Sequence, residues 1–383
     1  MMIVLALAVY TVSSAQNNNT QPQYISAIIG FYNLENLFDT IDDPRIDDAE
    51  FLPSSAKKYN TERYHNKLNN MAEVISGIGT DVNEEGLALL GVVEVENETV
   101  LKDLAATDKL KSRNYQVVHY NSPDARGIDV ALLYNPRYFT PIESWPHHVT
   151  LPDKHDTRDI LVVKGDFVGD TILVIVNHWP SRRGGSNSFD LSNKEAAYNR
   201  NNTYRERQNQ IELNNNQGLR SDGEEATRPA RMAAARECLS IVDSFQAVNP
   251  NIKVIIMGDL NDDPSSPSVE KVLKARADMA EVQEKEIYNP FIQFHKQGYG
   301  TLAFAGKWNL FDQVMFTYPW LNQKQTNGWF LYRSHIYYRD FLVNKDGEYK
   351  GYPKRSWSGD KWINGYSDHF PVYNIILRQV PQQ

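Results

Sequence analysis

A chain of 383 residues, 41% hydrophobic and 23% charged, is long enough to bury a large core without disulfide or metal staples. The single cysteine, Cys238, excludes an intramolecular disulfide. The net charge of −8 argues against broad, non-specific nucleic-acid binding, but not against an enzyme that grips a few phosphates through a cation.

The first segment, MMIVLALAVYTVSSAQ, closes an apolar run with Ser13-Ser14-Ala15. That small-residue pattern predicts a signal peptide over residues 1–15 and export to a periplasmic or extracellular space, although no Lys or Arg precedes the run. No segment reaches comfortable transmembrane length, so no stable membrane insertion is expected. One domain is expected over 24–380, acting as a monomer.

Strands are predicted at 25–32, 87–93, 115–119, 128–134, 160–166, 171–177, 253–258, 312–316 and 371–377. Helices are predicted at 61–78, where Tyr64, Leu68, Met71, Val74, Ile75 and Ile78 form an apolar stripe, and at 98–110 and 229–247. Pro229 suits a first helical turn, and 268–275 reads as a short helix. Segments 115–119 and 128–134 look like a hairpin, as do 160–166 and 171–177. The mixture places the chain in the α/β class, with a mixed sheet or two packed sheets and helices outside. Residues 184–228 are rich in Asn, Arg and Glu with poor apolar periodicity, so a long inserted loop is expected, with a partial helix near 194–213. It follows closely on His178 and so borders any site there.

Polar residues repeatedly close the apolar runs, and strand ends deliver side chains to one sheet edge. Asn33 follows AIIGFY and offers a neutral oxygen or a clamp for a carboxylate, with Glu35 a less well placed second candidate. Glu94 ends LALLGVV, a hard oxygen donor suited to Mg²⁺ or Mn²⁺, and Glu96 shares its face if the strand continues. Asn177-His178 ends TILVIV, and that histidine can donate a hydrogen bond or a proton. Asp259 and Asn261 follow KVIIMG: the acid can orient and deprotonate a water while the amide donates to a phosphoryl oxygen. An Asx turn is the plainer use of the same residues. Asp312, among apolar neighbours, needs a partner when buried, and a histidine would serve. Asp368-His369 precedes FPVYNIIL, and the two side chains are expected to do different jobs. Arg126 and Arg182, with Arg183, suit phosphate oxygens. Asp129 either faces the site or pairs with an arginine.

In order, FYNLEN, GVVEVEN, RGIDVALLYNP, VNHWPSRRGG, MGDLNDDP, FDQVMF and SDHFPV resemble the motifs of the endonuclease/exonuclease/phosphatase superfamily, including its exported bacterial subgroup, over roughly residues 25–378. The resemblance implies a four-layer α/β sandwich of two packed mixed β-sheets flanked by helices, of the deoxyribonuclease I type. It implies Mg²⁺-dependent hydrolysis of phosphate esters by direct water attack, with Mn²⁺ as the other candidate. Carried over, Asn33, Glu94 and Asp368 surround the metal, Asp259 activates water, and Asn261 stabilises phosphoryl oxygens. Asp312 pairs with His369, which contacts the phosphate, and His178 is a second phosphate-facing histidine and a candidate general acid. Asn177, Arg126 and Arg182 are candidate substrate contacts. In the subgroup the double glycine lies close to the RPAR-like segment; here residues 186–227 intervene. The expected function is an exported metal-dependent nuclease. A phosphatase or phosphodiesterase acting on lipid head groups or small metabolites is the second reading, and a non-catalytic binding protein a distant third.

Overall fold

The computed structural model describes residues 22–182, 220–304, 306–324 and 328–380. Its strands are β1 (Tyr24–Leu37), β2 (Leu87–Val95), β3 (Gln116–His119), β4 (Asp129–Tyr134), β5 (Phe139–His147), β6 (Ile160–Phe167), β7 (Asp170–His178), β8 (Lys253–Asp259) and β9 (Ile287–Tyr288). A short hairpin, β10 (Leu302–Phe304) and β11 (Lys307–Asn309), precedes β12 (Asp312–Thr317) and β13 (Phe330–Ile336). A second hairpin, β14 (Trp357–Ser358) and β15 (Lys361–Trp362), precedes β16 (Val372–Gln379). The helices are α1 (Thr61–Gly77), α2 (Glu98–Ala106), α3 (Arg220–Val248) and α4 (Phe291–Lys296).

Two six-stranded sheets result, in the orders β13-β16-β1-β2-β4-β3 and β5-β6-β7-β8-β12-β9. Each has one parallel pair at its centre, β1 with β2 and β7 with β8, among antiparallel neighbours.

Period-two alternation along the central strands builds the layers. In β1, Ala27, Ile29 and Phe31 point into the core between the sheets, whereas Ile28 and Tyr32 point outward. The outward set packs on Leu68, Met71 and Ile75 of α1 and on Leu101 and Leu104 of α2. In β7 and β8, Val174, Val176, Ile255 and Met257 face inward, while Ile175, Val254 and Ile256 meet Ala234, Cys238 and Ile241 of α3. Helix, sheet, sheet and helix are therefore stacked in four layers, as expected. Cys238 is a buried apolar contact in the outermost interface. Asn60 and Asn97 cap α1 and α2 by accepting from the N–H groups of Arg63 and Val100.

The differences from the sequence expectation lie at edges and ends. Strand β1 continues past residue 32 because Glu35 and Asn36 adopt left-handed backbone, φ 49° and 55°, and carry it around an irregularity to Leu37. Strand β5 contains Pro141 and Pro146, which disguise it as a loop; an edge strand tolerates them. Strand β13, also at an edge, leaves Tyr332 and Arg333 exposed and so breaks the apolar pattern. The short helix expected at 268–275 is a π-helical turn, Ser268–Val272. Helix α2 stops at Ala106 rather than at 110. Helix α3 begins at Arg220 and runs through Pro229, which is interior rather than in the first turn. The backbone of 220–227, expected within the inserted loop, is thus helical. The segments 1–15 and 194–213 and Arg183 lie outside the described residues. Among the described residues no helix is long and apolar enough to cross a membrane.

Candidate active site

The same alternation that fills the inter-sheet core aims polar side chains into its open edge. Asn33 continues the inward series of Ile29 and Phe31. His178 continues that of Val174 and Val176, and Asp259 that of Ile255 and Met257. Asp312 begins β12 directly opposite Asp259. His369 lies three residues before Val372, the partner of Phe31. Glu94 is the exception, because alternation alone would send it outward with Val92. A left-handed backbone, φ 59°, and a shifted register between Val93 and Val95 swing it inward instead.

The side chains converge on Asp259. Asn33 Nδ2 donates to Glu94 Oε1 and to Asp259 Oδ2, both at 3.1 Å. The orientation of that amide is set by the Glu35 N–H, which donates to Asn33 Oδ1 at 2.8 Å. Glu94 Oε2 accepts from the Asn36 N–H at 3.0 Å, and Asp259 Oδ1 from the Asn261 N–H at 2.9 Å. His178 Nε2 stands 3.8 Å and His369 Nε2 3.9 Å from Asp259 Oδ2. His369 Nδ1 lies 2.7 Å from Asp312 Oδ2, the expected pairing.

Burial polarises these groups. It pushes Asp259 up to about 7, with Asp312 and Glu94 adding to the rise and His369 opposing it. Burial opposes charge on His369 too, but Asp312, its hydrogen bond, Asp259 and Asp368 outweigh that and hold the imidazole well above 6.5. His178 goes the other way: burial, then Arg158, Arg126 and His369, press it well below 6.5. One imidazolium and one neutral imidazole therefore face the same carboxylate oxygen.

Asn33, Glu94, His178, Asp259, Asp312 and His369 are thus brought together. Asp368 sits at the rim, its Oδ1 4.0 Å from His369 Nε2 and its Oδ2 3.3 Å from Arg355. The Asn33 side-chain oxygen Oδ1 is engaged by the Glu35 N–H, so Asn33 braces two carboxylates rather than presenting an oxygen. Asn261 makes the Asx turn with Asp259 and sends one amide hydrogen to the Trp179 carbonyl.

Two expected substrate contacts are placed elsewhere. Asn177 alternates to the outer face of β7, fully buried, with its amide bonded to the Met257 carbonyl and to Trp179 Nε1. Arg182 anchors the turn after β8 through the Asn261 carbonyl, Asp262 and Asp263, and lies on the Phe311 ring. Arg126 is a largely exposed neighbour of Asp124 whose charge reaches His178. Asp129 pairs with His119 at 2.9 Å, not with an arginine. Glu96 points away, accepts from the Asp39 N–H, and is raised to about 8, chiefly by burial.

Three cations escape sequence reading. Arg158 is buried against Asp124 and donates to the carbonyls of His178 and Trp179. Lys67 lies fully buried beside Glu35, and Arg355 bridges Glu35 and Asp368. Only Lys67 left a signal, a lysine within the apolar stripe of α1.

The donor set fits a divalent cation. Glu94, His178 and Asp259 offer ligand atoms all within 4.8 Å of one another. Asp312 Oδ1 and His178 Nδ1 are buried without hydrogen-bond partners among the described residues, and the raised Asp259 marks negative charge that a cation would relieve. Oxygen donors with one imidazole suit Mg²⁺ or Mn²⁺.

The sequence profile of the Endonuclease/Exonuclease/phosphatase family matches residues 28–203 and 203–378. No curated protein matches the sequence. Among solved structures, truncated Caenorhabditis elegans TDP2 is 16% identical with a TM-score of 0.48, covering 92% of this chain and 97% of its own. An endonuclease/exonuclease/phosphatase family protein from Bacteroides thetaiotaomicron is 14% identical with a TM-score of 0.49, covering 94% and 97%. The human Nocturnin catalytic domain with bound sulfate is 10% identical with a TM-score of 0.46, covering 94% and 98%.

Proposed function

We propose, from the premise that this chain belongs to the Endonuclease/Exonuclease/phosphatase family, that it is an exported, divalent-cation-dependent nuclease. The family comprises phosphoric ester hydrolases, and phosphodiester hydrolysis is the chemistry it brings. The observation that carries the finer reading is the convergence of Asn33, His178 and His369 on one oxygen of Asp259.

In this reading Glu94 would hold the cation, Asn33 ties the Glu94 carboxylate to Asp259, and Asp368 would complete the rim. Bound Mg²⁺ or Mn²⁺ would offset charge on the phosphoryl oxygens and make water a better nucleophile. Asp259, poised near neutrality, orients the attacking water and takes its proton at Oδ2. Asn261 keeps a second amide hydrogen for a phosphoryl oxygen. The His369 imidazolium, held by Asp312, hydrogen-bonds the phosphate and protonates the leaving oxygen. Neutral His178 serves as a hydrogen-bond donor rather than the acid. A poor alkoxide leaving group needs such an acid, which suits an unactivated phosphate ester such as a nucleic-acid diester. Export rests on the signal-peptide pattern of residues 1–15.

The test is incubation with plasmid DNA, single-stranded RNA and bis-p-nitrophenyl phosphate, with Mg²⁺ or EDTA, beside Asp259→Asn. EDTA-sensitive, Asp259-dependent loss of nucleic acid supports the reading. Cleavage of the small diester alone would redirect it to lipid head groups or small phosphate esters. No cleavage of any would overturn it.

A further inference from the structure

A charged cluster lies beside the site and has no part in the reaction as drawn. Glu35, two residues beyond Asn33, is buried with a left-handed backbone. Its Oε2 accepts from the Ser356 N–H at 2.6 Å and stands 4.0 Å from Lys67 Nζ. Its Oε1 accepts from Arg355 Nε at 3.2 Å. Lys67 Nζ also donates to Ser356 Oγ at 2.7 Å, and Ser356 Oγ to the Tyr366 carbonyl. Asn70 of α1 donates to the Gly365 carbonyl at 2.8 Å. A Cβ on Gly365 would lie 1.9 Å from the Arg355 carbonyl oxygen, so this loop is shaped around Arg355.

We infer that Arg355 is a phosphate-binding residue of this site, held ready by Glu35 and Asp368. The inference rests on the phosphate-ester reading above.

Three observations carry it. Lys67, wholly buried, stands 4.0 Å from Glu35 on the protein side, so Arg355 is not the sole cation beside that carboxylate. The Arg355 side chain is 49% exposed, whereas Glu35 behind it is 2% exposed. Nε and Nη2 are oriented by the two carboxylates, while Nη1 has no hydrogen-bond partner among the described residues. Asp368 stands between this guanidinium and His369, placing Arg355 one carboxylate away from the imidazolium. A planar guanidinium fixed on one edge presents the other to two oxygens of a phosphate. A purely structural ion pair would need no such approach to His369.

The experiment is calorimetric titration of inorganic phosphate into the full chain with Mg²⁺, for wild type, Arg355→Gln and Arg355→Lys. The expected result is at least tenfold weaker binding in Arg355→Gln and incomplete recovery in Arg355→Lys, whose point charge lacks the fork. Equal affinity in all three, or no phosphate binding by wild type, would overturn the inference. Arg355→Lys, the conservative change, guards against loss of fold, and unaltered melting of both variants is the control. Phosphate binding lost in Arg355→Gln supports the inference even if no ester is hydrolysed, a result that would overturn the catalytic reading alone.

Discussion

Asp259 is stored at a cost, and removing its charge should reveal it. The carboxyl is buried, shares a site with Glu94 and Asp312, and is raised from 3.8 to about 7. A raised native value means that its contribution to stability is fully present below pH 3.8 and is lost as pH climbs through about 7. At 1.36 kcal/mol per unit, the native state without a cation carries a penalty of roughly 4 kcal/mol above pH 7 and roughly 2 kcal/mol at pH 5. Asp259→Asn abolishes that penalty. It also turns an NH₂ toward either the Asn33 amide or the Asn261 N–H, both of which now donate to Asp259. One unsatisfied donor costs about 1–3 kcal/mol. The variant should therefore be more stable than wild type by about 1–3 kcal/mol at pH 8 in EDTA, and within about 1 kcal/mol of it at pH 5. Urea unfolding at the two pH values, followed by far-UV circular dichroism, reads this directly. Turnover should fall by a factor of about 10² to 10⁴, the usual worth of a general base. A variant less stable than wild type at pH 8 would refute the electrostatic argument. Turnover within tenfold of wild type would refute the base assignment.

Glu94→Gln should weaken Mg²⁺ binding at least tenfold. Unaltered affinity in calorimetry would remove Glu94 from the cation site. Asp312→Asn takes away the strongest influence that raises His369. The alkaline limb of the kcat/KM profile should then move to lower pH, and an unmoved limb would mean that His369 does not act as an imidazolium. Gly365→Ala forces a methyl group against two backbone carbonyls, those of Lys354 and Arg355. Overpacking of this kind costs about 1–3 kcal/mol, and phosphate affinity should fall with stability. A variant that melts and binds like wild type would show that the loop does not depend on this contact.

The layered core was legible because Val-, Ile- and Leu-rich runs of strand length carry an unambiguous period. The residues ending the inward series, Asn33, His178 and Asp259, could be read for the same reason. Asn177 misled because composition marks it as polar and strand-terminal, whereas only the phase of the alternation shows that it faces α3. Glu94 reached the site against that phase, through a left-handed residue that no apolar pattern encodes. Arg182 was drawn away by Asp262 and Asp263, acids in the same tetrapeptide region that had drawn attention to Asp259. Arg158, Lys67 and Arg355 owe their positions to partners between 13 and 320 residues distant, and no local signal reports such pairings. Edge strands β5 and β13 were obscured by proline and by exposed side chains, which an edge accommodates.

The placement of β16 between β1 and β13 bears on how the protein is made. Until residues 372–379 arrive, β13 has no strand to join it to β1, and the imidazole of His369 arrives only with them. A nascent chain emerging from its N-terminus therefore holds Asn33, Glu94 and Asp259 long before it can assemble a working centre. The candidate site of this phosphoric ester hydrolase is therefore completed only when the last strand joins the sheet. A chain ending before residue 369 would lack both that imidazole and the strand that joins β13 to β1.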